Sequence, residues 1–289
     1  VLVFDPVSHC AAYELVKAGK MSGRDFSKLL RGDAESYVEL AVRYLNCGFP
    51  KEASAILSLA PQSYPTVLYY QGYLADASGD TREAARLFAE AGQASTDYVY
   101  PFRPETIACY EKALEYDPAN ANTWYYLGNL YFEKQPQKAA ECWLKAVEAK
   151  PDFAMALRNL GWYERFADEE QVTKERLDAS IEWYLKAIEA DTEGQALFLA
   201  ECDEVMDLAN YSPEQRYNLF AGKTDIYQKR YDSETKAIRQ QILHGEYEQV
   251  LEPLLGRFYS RREHIEDLHD IYVDACMLSG FKATREGNY

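Results

Sequence analysis

The residue types and motifs that announce chemistry are scarce in this chain. It has 4 histidines in 289 residues and contains no HExxH, GxSxG, GxGxxG or phosphate-cradling glycine loop. Glycine (15) and proline (11) are modest, which excludes collagen-like and low-complexity sequence. No run approaches the ~18 consecutive apolar residues that read as a membrane span, so no contact with the bilayer interior is expected. Strand-like alternation of useful length does not occur. No cysteine sits in a CxxC pair. Positive charge is short, with 31 basic against 47 acidic residues and a net charge of −16. Phosphate would be repelled on average, so nucleic acid is not an expected partner.

The remaining polar clusters have plain readings. His264 and His269 are five apart and share a helix face poorly, so with Asp267 and Asp270 they read as a solvated helix face and not a metal site. Asp168-Glu169-Glu170 reads as a solvated loop or helix end. Arg257, Arg261 and Arg262, beside Phe258 and Tyr259, are expected to pair with Glu263 and Glu266. No enzyme activity, catalytic residue, cofactor or metal is therefore expected. Cys10, Cys47, Cys109, Cys142, Cys202 and Cys276 are expected to be reduced, buried thiols, which favours a reducing, cytoplasmic setting. The chain begins at Val1, and VLVFDP is too short for a signal sequence. It is expected to be an excised segment, with any targeting signal upstream.

What is abundant is tyrosine, 24 residues, set in segments of helical periodicity. The best segment runs from Trp124 to Pro151 and reads as two helices packed face to face. Imperfect copies surround it. The second helices share a small–large–small column: Ala53/Leu57/Ala60, Ala84/Phe88/Ala91, Thr106/Tyr110/Ala113, Ala139/Trp143/Ala146 and Ser180/Tyr184/Ala187. Spacing of four and then three puts each trio on one helix face, where small ends admit a neighbouring helix and the large residue fills its groove. The first helices carry Ala41, Gly72, Gly128 and Gly161 at matching places. A helical glycine costs about 1 kcal/mol against alanine, so its recurrence points to close helix crossing.

These residues resemble the tetratricopeptide repeat (TPR), whose pattern is W-x-x-L-G-x-x-Y, then A-x-x-x-F, then A and P. Trp124, Leu127, Gly128, Tyr131, Ala139, Trp143, Ala146 and Pro151 match it, with one residue deleted at Gln135-Pro136. Tyr37, Leu40, Ala41, Tyr44, Ala53, Leu57, Ala60 and Pro65 match nearly as well. The resemblance implies an all-α fold: a right-handed superhelix of antiparallel helix pairs, expected here with about fourteen helices. Residues 1–33 are expected to form an N-terminal helical cap. Residues 34–192 hold the repeats, with an extra unpaired helix at 104–116 and a charged insertion at 167–177 before a helix from Ala179. Residues 193–289 read as degenerate helical repeats, among them one helix over 213–228, and Gly287-Asn288-Tyr289 resembles a turn cut mid-repeat. More loosely, DPVSHCAAYE, DYVYPFR and RREHIEDLHDIYVDACMLSG are similar to the C-terminal helical part of large bacterial proteins with an upstream mutarotase-like domain. That similarity implies an accessory role to carbohydrate binding, carried by the full-length protein.

In the TPR family the first helices line a concave side. The resemblance then places Val38, Val42, Tyr69, Tyr73, Tyr125, Asn129, Phe132, Arg158, Trp162 and Arg165 toward a groove. Rings for stacking, with Arg and Asn for directed hydrogen bonds, suit a peptide or a glycan, and the expected partner is a protein or peptide, or another domain of the same polypeptide. Asn129 and Arg158 stand where some TPRs clamp a terminal carboxylate, but the accompanying lysines are missing and Tyr125 fills one of their places. The packing set is Ala53, Ala60, Gly72, Ala84, Phe88, Ala91, Trp124, Gly128, Ala139, Trp143, Ala146, Gly161 and Ala187. Trp143→Ala is expected to cost about 3–5 kcal/mol in urea unfolding, whereas Asn129→Ala should leave the fold intact and weaken binding.

Overall fold

A computed structural model describes residues 5–166, 172–256 and 268–288. Among them are seventeen helices and no strand, so the expected fourteen is an undercount. The fold is an all-helical, TPR-like repeat arranged in two compact units, Val1–Pro151 and Asp152–Tyr289.

The first unit holds α1 (His9–Lys17), α2 (Gly23–Leu29), α3 (Ala34–Asn46), α4 (Pro50–Leu57), α5 (Pro65–Ala77), α6 (Thr81–Gln93), α7 (Thr106–Tyr116), α8 (Ala121–Tyr131) and α9 (Pro136–Ala149). Its helix starts follow from sequence. Asp33, Asp80 and Asn120 each accept a backbone N–H three residues on, and Pro50, Pro65 and Pro136 sit in first turns where an N–H is dispensable. The principal pairs are α3 with α4, α5 with α6, and α8 with α9.

The second unit holds α10 (Ala154–Phe166), α11 (Lys174–Ala190), α12 (Ala196–Leu208), α13 (Pro213–Phe220), α14 (Thr224–Tyr227), α15 (Tyr231–His244), α16 (Tyr247–Leu254) and α17 (Leu268–Glu286). Helix α11 begins at Lys174, before the expected Ala179, because the Thr173 side chain accepts from Arg176 N and caps it. Residues 167–171 of the insertion, with its acidic run, lie outside the described residues. The helix expected over 213–228 is two helices: Gly222, at φ +74°, turns the chain between α13 and α14. Leu177, Ile181 and Tyr184 of α11 share one apolar cluster with Leu199, Cys202 and Val205 of α12. A second cluster joins α15, α16 and α17 through Ile238, Ile242, Val250, Leu254 and Ile271. Between α12 and α13 lies an arrangement the sequence did not suggest. Asp203 is fully buried and receives the Arg216 guanidinium as a fork, at 2.8 and 2.9 Å. Asp207 accepts the third Arg216 nitrogen. A buried carboxylate requires such pairing.

All fifteen members of the small–large–small column are buried. The reason is steric. A Cβ built on Gly128 would lie 2.5 Å from Trp143 Nε1, one on Gly72 2.7 Å from Phe88 Cε1, and one on Gly161 2.9 Å from Tyr184 Cδ2. Each glycine thus faces the large residue of its own partner helix, and in the third pair Ser180 Oγ also donates to Gly161 O at 2.7 Å. Where alanine replaces glycine, at Ala41, the matching large residue is Leu57, not a ring. Gly128→Ala should therefore cost about 1–3 kcal/mol despite alanine's better helix propensity. Exposed Gly280 of α17, with nothing within 4 Å of a built Cβ, is the control. Gly280→Ala should gain up to ~1 kcal/mol, and urea unfolding of both chains checks the opposite signs.

Candidate functional site

The face that the first helices of the first unit were expected to offer is largely occupied. Helix α7 is not unpaired: it packs along α5 and against α8. Tyr110 of α7 meets Tyr69 of α5 edge-on, ring centroids 4.7 Å apart, and lies near-parallel to Tyr126 of α8 at 5.6 Å. Hydroxyl pairs tie the same helices: Tyr69 Oη to Thr123 Oγ1 at 2.7 Å, and Tyr70 Oη to Thr106 Oγ1 at 2.9 Å. Burial pushes the phenols of Tyr69, Tyr70, Tyr110 and Tyr126 well above their ordinary pKa, so all four are neutral core groups.

The candidate groove residues therefore divide. Tyr69 and Tyr125 are buried at 0% and 8% exposure, and Val38 and Val42 are also buried. They act as core and not as an open surface: α7 overlies Tyr69, and Tyr125 packs beside the Tyr126 ring at 5.7 Å. Tyr73, Asn129 and Phe132 are half-buried. Asn129 Oδ1 accepts the Trp143 Nε1 hydrogen at 3.0 Å, and Phe132 stands 5.6 Å from the Trp143 ring. Asn129→Ala would thus leave a nearly buried indole N–H unpaired and cost about 1–2 kcal/mol, which revises the expectation of an unchanged fold. Trp124 is half-buried: its indole donates to Pro118 O at 2.8 Å, and Lys145 lies over its ring at 4.1 Å.

In the second unit, α10 carries Arg158, Trp162 and Arg165, all half-buried. Arg158 Nε donates to Glu201 Oε2 at 2.7 Å and a second nitrogen reaches Oε1, a fork that holds α10 to α12. An incoming carboxylate would have to displace Glu201. Trp162 and Phe166 are tilted rings 4.6 Å apart, and the Arg165 guanidinium lies over Phe166 at 4.5 Å.

The thiols depart from expectation. Cys109, Cys142 and Cys202 are buried, with burial raising Cys142 to about 11 and Cys202 to about 12, but Cys47 and Cys276 are exposed and Cys10 is intermediate. All six are free. Among the described residues no group of three or more His, Cys, Asp or Glu could hold a metal. The basic cluster Arg257, Phe258, Tyr259, Arg261 and Arg262, its acidic neighbours, and His264 with Asp267 lie outside the described residues. No described helix is long and apolar enough to cross a membrane.

Comparison with known families adds one match. Residues 104–135 match the profile described as TPR repeat. This TPR segment is α7, its turn and α8, so the helix that broke the apparent rhythm belongs to the matched stretch. Similar solved structures include MamA (residues 41 to the end) from Desulfovibrio magneticus RS-1, 20% identical over 68% of this chain and 97% of that one, TM-score 0.37. Pseudomonas aeruginosa PilF is 16% identical over 78% and 93%, TM-score 0.38. YrrB, described as a TPR protein with an unusual peptide-binding site, is 17% identical over 78% and 98%, TM-score 0.31. Among curated proteins no match is found. The upstream mutarotase-like domain receives no support from these comparisons.

Proposed function

We propose that this chain is a non-catalytic scaffold that binds a protein or peptide segment through the first-helix faces of its repeats. TPR proteins characteristically mediate such interactions, and the matched repeat supports that class. The observation that carries the reading is a difference in exposure. The packing columns are buried without exception, whereas Tyr73 of α5, Asn129 of α8 and Phe132 just after it in the first unit, and Trp162 and Arg165 of α10 in the second, remain half-exposed. Rings and a guanidinium at that exposure give a ligand apolar area and directed donors. An acidic body of net charge −16 favours a partner of neutral or basic character. The six free thiols suit a reducing, cytoplasmic compartment.

The test is to capture partners from the source organism with the full chain and then vary one face at a time. Phe132→Ala and Trp162→Ala should each lower partner capture about 10-fold. Leu185→Ala, at a 45% exposed second-helix position, should leave capture unchanged. Equal loss in all three, or none in the first two, would contradict the reading.

A further inference from the structure

Helix α17 has two opposite faces, and one of them is buried. Leu268, Ile271 and Ala275 join the apolar cluster with α15 and α16. On the other side Val273 and Met277 stand four apart, with Gly280 three further on, so the three share one stripe. Val273 is 40% exposed and Met277 54%, and a Cβ built on Gly280 would meet nothing within 4 Å.

The turn that closes α17 is the one that closes α3 and α5. Gly287 lies seven residues after Gly280, as Gly79 does after Gly72 and Gly48 after Ala41, and these three turn glycines have φ of +72°, +89° and +81°. Their hydrogen bonds agree. Gly287 N donates to Thr284 O and Asn288 N to Ala283 O. Gly79 N and Asp80 N donate likewise to Asp76 O and Ala75 O, and Gly48 N and Phe49 N to Leu45 O and Tyr44 O. After α3 and α5 this turn leads into a second helix packed on the first. There the small residue and the positions three and four before it are buried: Tyr37, Val38 and Ala41; Leu68, Tyr69 and Gly72. The same positions of α17, Cys276, Met277 and Gly280, are exposed. The residues proposed above to meet a ligand stand one and four positions after the small residue, so this is a different face.

We infer that the Val273–Gly280 face of α17 is a docking site for one amphipathic helix of the second-helix type: a small residue, a large apolar or aromatic one four positions on, and a small one three further. The seat sets that chemistry. Gly280, without a Cβ, admits a bulky side chain to the helix backbone, as Gly72 admits Phe88. Small residues on either side of it let the docked helix approach closely enough to cover Val273 and Met277. A helix seated antiparallel, as α6 is on α5, sets its first turn beside exposed Lys282 and Arg285. An acid in that turn is then favoured, as Glu83 is in α6. Among the described residues all five small–large–small trios are already buried, so the occupant is none of these helices.

The probe is a synthetic peptide of residues 79–93, GDTREAARLFAEAGQ, which carries the Ala84/Phe88/Ala91 trio and is titrated into the full chain by calorimetry. Saturable binding is expected with a Kd below about 1 mM. Gly280→Ala should weaken it about 10-fold, because the new Cβ meets the docked ring. Phe88→Ala within the peptide should weaken it by about as much. Gly280→Ala should leave the helical circular dichroism intact and the chain no less stable, so weaker binding is not loss of fold. Phe132→Ala and Trp162→Ala should leave peptide binding unchanged, so this inference and the proposed function stand or fall separately. No binding at about 1 mM peptide, or binding indifferent to Gly280→Ala, would overturn the inference. So would sedimentation showing the chain alone to be a dimer that Met277→Glu dissociates, since the face would then belong to a second copy.

Discussion

The close crossing of glycine against an aromatic ring is the constraint on which the repeats depend. A first helix brings a backbone without Cβ to the place where the second helix lodges Phe88, Trp143 or Tyr184. The balance favours the arrangement. A helical glycine forfeits about 1 kcal/mol, whereas truncating a buried ring costs about 3–5 kcal/mol. The first pair tests the logic within one molecule, because Ala41 stands where the column's large residue is the smaller Leu57. Small residue and large residue are chosen together.

Helix α7 shows what happens when second-helix chemistry is used without a first helix of its own. Thr106, Tyr110 and Ala113 are buried like every other trio, but they pack along α5 and α8. Tyr110 then sits among Tyr69 and Tyr126, and threonine hydroxyls bond those of Tyr69 and Tyr70. Just before α7 the chain is tied to α3 through Arg103 with Glu35 and Glu105 with Asn46.

Periodic features were legible in the sequence: the helices, the column, the glycines and the pairs. Each repeats, and a repeat declares its role by recurrence. Single features were not. Tyr69 and Tyr125 have the spacing of open-face residues, and only the placement of α7 and of neighbouring rings buries them. Asn129 looked free for a ligand, yet its amide oxygen is engaged by an indole fourteen residues on. Arg158 is held by Glu201, forty-three residues away, and Asp203 by Arg216 across a helix boundary. Such partners are set by tertiary contact, which local pattern does not encode. The split at Gly222 is visible in the sequence as a glycine within a helical pattern, the signal of a break.

The ring–glycine claim is tested most directly by a double-mutant cycle at one crossing. Urea unfolding is measured for the unmodified chain, Gly128→Ala, Trp143→Leu, and the two together. Beside Trp143 the alanine should be destabilising; beside leucine, the pairing already present at Ala41 and Leu57, it should be neutral or favourable. The coupling should reach about 1–3 kcal/mol. An alanine effect of the same size in both backgrounds would contradict the account.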